Sequence, residues 1–207
     1  MTAFTRTVAT STQASFTADT MVASAGKGGK GVIHVAFGVV LRPDVETSRS
    51  LVELSHTIGD GHEPLMLLGD KAPPHVSILH VDCAEDQTAG IVAATAAHGG
   101  RTFTAKIIGL LYSVIPPGDY YVPTGGYYFG LEMIRSPELD ALHQEFLRLG
   151  HTPLGLVDHD YRPHITLGVT AEPPSQPPFS KVPAGIVRLT MSSGPVGPFG
   201  TFPNLAK

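Results

Sequence analysis

Two strand–helix–strand series of nearly equal span constrain this 207-residue chain more than any other feature. The first has an apolar, β-branched strand over 32–41 and a helix over 44–58. It ends on the strand Pro74-His75-Val76-Ser77-Ile78-Leu79. The second has a strand over 127–134, a helix over 137–149 and the strand Pro163-His164-Ile165-Thr166-Leu167-Gly168. The interval from Phe37 to His75 nearly matches that from Leu131 to His164. Such a pattern implies two related lobes, each donating one His-x-Ser/Thr strand. A pseudo-twofold arrangement would then set the two histidines across one central cleft.

Side chains alternate faces along a strand. In the first motif His75, Ser77 and Leu79 are therefore expected on one face, with Val76 and Ile78 on the other. In the second, His164 and Thr166 share a face, with Ile165, Leu167 and Val169 opposite. Each strand can bury an apolar face and present an imidazole beside a hydroxyl. Two such units side by side supply two proton-transfer groups and two hydroxyl donors around one small cavity, a constellation suited to phosphodiester cleavage.

The rest of the chain supplies a scaffold of ordinary local signals. Pro43-Asp44 opens the first helix, Leu51, Leu54 and Ile58 give its buried stripe, and Gly59 ends it. Residues 85–98 read as one Ala-rich helix stopped by Gly99-Gly100, and 103–115 as one or two strands broken by Pro116-Pro117-Gly118. In 127–134, Tyr127, Phe129, Leu131 and Met133 face one way. Ser136-Pro137 is a capping serine followed by proline at the first helical position. Leu139, Leu142, Phe146 and Leu149 form the apolar stripe behind it, and Gly150 terminates it. A proline-rich loop over 173–183 leads to a last strand over 186–191.

Composition narrows the partners. Hydrophobic residues at 42% and charged residues at 15% exclude a disordered chain. A net charge of -4 supplies no global basic field, so long duplex nucleic acid is not the expected partner, whereas a short or cyclic phosphate needs only a local positive pocket. The single cysteine, Cys83, forbids an internal disulfide and fits a reducing, cytoplasmic compartment; it reads as a buried thiol. No apolar run reaches membrane-spanning length. Residues 1–31, rich in Ser, Thr, Ala and Gly, read as a flexible or loosely packed extension to a domain over 32–207. Oligomeric state is not legible.

The paired motifs, each preceded by proline, and above all Tyr161-Arg162-Pro163-His164-Ile165-Thr166-Leu167, resemble the 2H phosphoesterase superfamily. That group includes 2′-5′ RNA ligase-like proteins, cyclic phosphodiesterases and phage enzymes that destroy cyclic-oligonucleotide signals. The likeness covers residues 32–194. It implies an α+β fold of two pseudo-twofold-related lobes, mainly antiparallel sheets lining a cleft, helices outside, and no metal or other cofactor. The function implied is cleavage of a small or cyclic nucleotide phosphodiester. His75 and His164 would act as general base and acid, and Ser77 and Thr166 would hold the non-bridging oxygens. Two alternatives stay open: a module that sequesters a nucleotide without cleaving it, and 2′-5′ RNA ligation by reversal of the same chemistry.

Further candidates surround the motifs. Arg162 is placed to neutralise phosphate or to make a surface ion pair. Tyr161 is expected beside the substrate, and Tyr120 and Tyr127, within the cluster Tyr120, Tyr121, Tyr127 and Tyr128, are candidates for stacking on a base. Lys71 reads as a solvated loop lysine with an anion-attracting role as the alternative. Gly26-Lys27-Gly28-Gly29-Lys30-Gly31 lacks the Gly-Lys-Ser/Thr ending of a nucleotide loop. Asp158-His159-Asp160 carries metal-ligand chemistry without a spaced partner histidine.

Overall fold

A computed structural model describes residues 32–177 and 181–205. The extension over 1–31, with its glycine–lysine run, lies outside the described residues. The elements are β1 (His34–Pro43), α1 (Val45–Gly59), β2 (Pro64–Leu67), β3 (Val76–Ala84), α2 (Thr88–Ala96), β4 (Thr102–Ile115), β5 (Gly126–Met133), α3 (Pro137–Leu147), β6 (Thr152–Pro153), β7 (His164–Thr170) and β8 (Gly185–Pro195). No helix among these residues is long and apolar enough to cross a membrane.

The fold is α+β, and every strand pairing in it is antiparallel. The sheet order is β2-β7-β5-β4-β8-β1-β3-β6. It reads as two like halves, β8-β1-β3-β6 and β4-β5-β7-β2, joined along β4 and β8. A second junction closes the ring: β3 meets β7 through the pair Val76 and Ile165. The two motif strands therefore touch each other at their histidine ends.

Two of the three helices among the described residues cross to the opposite half, while α2 stays on β8 and β1 of its own. α1 follows β1 yet packs on β7 and β2, and α3 follows β5 yet packs on β3. The expected strand–helix–strand series thus exist, but neither is a self-contained lobe. The short strands cross in the same way, β2 onto β7 and β6 onto β3. Capping fixes both helix starts. The Asp44 carboxylate accepts from the Thr47 amide at 2.8 Å, and Ser136 Oγ accepts from the Leu139 amide at 3.3 Å with Pro137 next. The core combines the stripes Leu51/Leu54/Ile58 and Leu139/Leu142/Phe146 with the inner residues of the strands.

Three local expectations are corrected. α3 ends at Leu147, so Leu149 lies beyond it and is exposed. The helix expected over 85–98 is a 3-10 turn, Glu85–Gln87, followed by α2, because the Gln87 side chain turns back to bind the Ala84 amide. Leu79 does not share the face of His75 and Ser77. The register between β1 and β3 shifts, Val39 pairing with Leu79 and Val40 with Ser77, so Ile78 is an extra residue in the ladder. A bulge of this kind puts two successive side chains on one side. Ile78 and Leu79 both enter the core, and the phase of the strand changes after them.

The second half carries the same device. Phe129 pairs with Gly168 and Gly130 with Thr166, leaving Leu167 extra in β7. In each half a buried polar side chain from the crossing helix meets the carbonyl at the bulge. Ser55 Oγ of α1 donates to the Leu167 carbonyl at 2.6 Å and accepts from the Leu68 amide at 3.0 Å. His143 Nδ1 of α3 donates to the Ile78 carbonyl at 2.7 Å, and its Nε2 accepts from the Asp158 amide at 3.1 Å. A carbonyl displaced from a ladder and buried needs such a partner.

Candidate active site

The two histidines flank the strand junction, since His75 precedes Val76 and His164 precedes Ile165. They are held alike. His75 Nδ1 lies 2.8 Å from the Pro73 carbonyl, and His164 Nδ1 lies 2.6 Å from the Arg162 carbonyl. A carbonyl can only accept, so Nδ1 carries the proton in both rings. In the neutral form Nε2 then bears the lone pair. The same tautomer is thus fixed twice, by the same backbone relation two residues upstream.

Electrostatics disfavour the charged form of both rings. Burial pushes His75 down to about 4; the nearby His164 and Arg42 push the same way, against the hydrogen bonds to the backbone of Pro73 and Gly200. Burial also lowers His164, and the neighbouring Arg162 adds to this, while the Arg162 carbonyl and Glu132 oppose it. An anion placed beside them would favour protonation of one imidazole. Ser77 and Thr166 lie two residues on, before each bulge, on the same face as their histidines, and both are partly exposed. Thr166 Oγ1 also reaches the Tyr128 hydroxyl at 3.5 Å.

The other sequence candidates divide. Arg162 stands beside His164 but is paired with Glu132 at 2.7 Å, the strand partner of His164. Tyr161 belongs to the core: its ring stacks on His143 at 4.1 Å and its hydroxyl donates to the Ser77 carbonyl at 3.1 Å. It therefore braces the first motif from behind. Tyr127 lies on the Phe129 side of β5, and alternation gives the histidine face to Tyr128, whose ring meets His164 edge-on at 5.6 Å. Tyr120 is 59% exposed and touches Tyr121. Lys71 is exposed on the turn closed by Gly69 and Ala72. Asp158-His159-Asp160 forms a 3-10 turn, and no group of three or more His, Cys, Asp or Glu among the described residues has the geometry to hold a metal ion. Cys83 is buried, as expected.

Sequence reasoning missed two residues. The bulge at Ile78 brings His80 onto the face of His75 and Ser77. His80 is 8% exposed, its Nδ1 lies 2.6 Å from the Tyr121 hydroxyl, and its Nε2 has no hydrogen-bond partner among the described residues. Burial, with His75 and His164 nearby, lowers it to about 3. The signal was present in Ile78-Leu79, two adjacent core-type residues that break the alternation. Arg135 is the second. It bonds Asp140 at 2.5 Å and the carbonyls of Asp158, His159 and Tyr161, clamping the loop that delivers His164. Nothing in its local sequence marks that clamp, which depends on the path of a distant loop.

No family model matches this chain, and no curated protein matches it. Among solved structures it is similar to Escherichia coli LigT, solved in complex with 3′-AMP. That match has 11% identity, covers 79% of this chain and 88% of the other, and has a TM-score of 0.48. It is also similar to a phosphoesterase at 14% identity, with the same coverage of 79% and 88% and a TM-score of 0.44. At this identity and overlap, nothing about what those proteins bind or do transfers to this chain.

Proposed function

We propose that this protein is a phosphodiesterase that cleaves a small or cyclic nucleotide phosphodiester by paired-histidine general acid–base catalysis. The observation that carries the reading is the twofold match at the β3–β7 junction. Two imidazoles, each followed by a hydroxyl residue and each locked by a carbonyl two residues upstream, present Nε2 from opposed strands. In-line displacement needs a base on one side of phosphorus and an acid on the other. The neutral ring takes a proton from water or a ribose hydroxyl, while the protonated ring gives one to the leaving oxygen. Ser77 and Thr166 donate to the non-bridging oxygens as charge builds there. No step requires a cofactor.

The test is incubation, in EDTA, with 2′,3′-cyclic mononucleotides, 2′-5′ oligonucleotides and cyclic di- and trinucleotides. His75→Ala and His164→Ala are run alongside. We expect one class to be cleaved by the wild type, with at least a hundredfold loss in either variant, as for removal of a general acid or base. A ligand bound tightly but returned intact, with no cleavage across the panel, would identify a sequestering module instead.

A further inference from the structure

The two histidines differ in where their aromatic neighbour comes from. Beside His164 it is Tyr128 of the adjacent strand β5, edge-on at 5.6 Å and 89°. The matching position beside His75, judged by strand register, is Gly38 of β1: Gly38 pairs with His80 as Tyr128 pairs with Val169. Glycine leaves that place empty, and Phe202, from the segment after β8, fills it. Its ring meets His75 edge-on at 4.8 Å and 79°, and His80 at 5.2 Å. A Cβ at Gly38 would stand 2.6 Å from Phe202 Cζ, so the ring and the missing side chain are alternatives.

The segment is built to deliver this ring. Gly197 N–H donates to the Thr201 carbonyl at 2.7 Å. Thr201 returns its N–H and Oγ1 to the Pro198 carbonyl, and Phe199 and Gly200 take positive φ between them. The turn is thus preorganised. Phe199 packs beside the cluster of Met66, Ala72, Val122 and Val169, so the segment spans from one half to the other. Phe202 itself is fully buried.

We infer that Phe202 is a positioning residue for His75, doing from the segment after β8 what Tyr128 does for His164 from β5. The inference rests on the paired-histidine reading for its consequence in catalysis, but not for its consequence at the imidazole. The edge contact from Phe202 and the hydrogen bond to the Pro73 carbonyl together hold the His75 ring. Without Phe202 the ring gains freedom and water, and the fraction of complexes in attack geometry falls.

The experiment uses Phe202→Ala and Phe202→Leu in the full chain, the second keeping an apolar side chain where the first leaves a cavity. Two readouts separate positioning from packing. The first is the His75 imidazole titration by NMR, with His164 from β7, Arg42 from β1 and His80 from its own strand as the charged or titratable groups facing it. We expect it to move upward, toward 6.5, in Phe202→Ala as burial is relieved, and less in Phe202→Leu. The second is steady-state kinetics on the cleaved substrate. We expect kcat to fall about tenfold or more with KM little changed, since orientation acts on the transition state. Should His75 titrate as in the wild type in both variants, or kcat hold or rise, the inference is overturned, and a rise would mark the segment as a cover. If no substrate is cleaved at all, the titration still decides it.

Discussion

An imidazole fixed by a carbonyl at Nδ1 has one nitrogen left for chemistry, and this chain does that twice. The pH dependence follows from the directions of the shifts. The base must be neutral, so kcat/KM falls as pH drops through its lowered pKa. The acid must be protonated, so kcat/KM falls as pH rises through a pKa that is also lowered. We therefore expect a bell whose optimum lies on the acid side of 6.5. A monotonic profile with chemistry rate-limiting would count against the pair. Ser77→Ala and Thr166→Ala should each lower kcat about a hundredfold if the hydroxyls hold developing charge, with KM less affected. Loss confined to KM would assign them to ground-state binding. At this scale both motifs were legible as letters, because an imidazole and a hydroxyl two apart on a strand share a face. Tyr128 was not singled out over Tyr127, since alternation shows which residues share a face but not which face meets the cleft.

Bulges, rather than the strands as such, decide which side chains share the face of the two histidines. A period-two reading puts Leu79 on the face of His75 and passes over His80, because one extra residue inverts everything after it. The helix starts at Asp44 and Ser136 were legible, since a cap is a local transaction among four residues. The partners of the bulge carbonyls were not, as Ser55 and His143 reach them from helices far away in sequence. Ser55→Ala would leave the Leu167 carbonyl and the Leu68 amide short of a partner in a buried place. We expect it to cost about 1–3 kcal/mol, read as a lower urea midpoint at unchanged slope. An unchanged midpoint would show that water replaces the hydroxyl there.

Over the whole molecule, the buried His75 and His80 and the half-buried His164 make the folded state sensitive to acid. His75 and His80 sit at about 4 and about 3 when folded, against 6.5 in an unstructured chain, and His164 is lowered as well. Below 6.5 the unfolded chain takes up protons that the folded one refuses. Stability should therefore fall from pH 6.5 downward, and the penalty is complete only below the folded values. Each pKa unit corresponds to about 1.4 kcal/mol per group, so several kcal/mol are at stake between pH 7 and 4. Thermal melts across that range check this, and His80→Phe should flatten the dependence. The two-lobed plan was legible from the spacing of the two series, but the exchange of helices between the halves was not, because spacing carries no information on which sheet a helix lies against.

That exchange has a consequence for how the protein comes apart. Each half of the sheet is covered by a helix belonging to the other half's stretch of chain, so neither stretch owns a complete interior. Cut between α2 and β4, the fragments should remain unstructured singly and regain structure only when mixed. In the intact chain the imidazole signals of His75 and His164 should vanish at one denaturant concentration. The two motif histidines are then gained and lost as a unit, and no half-folded species presents one without the other.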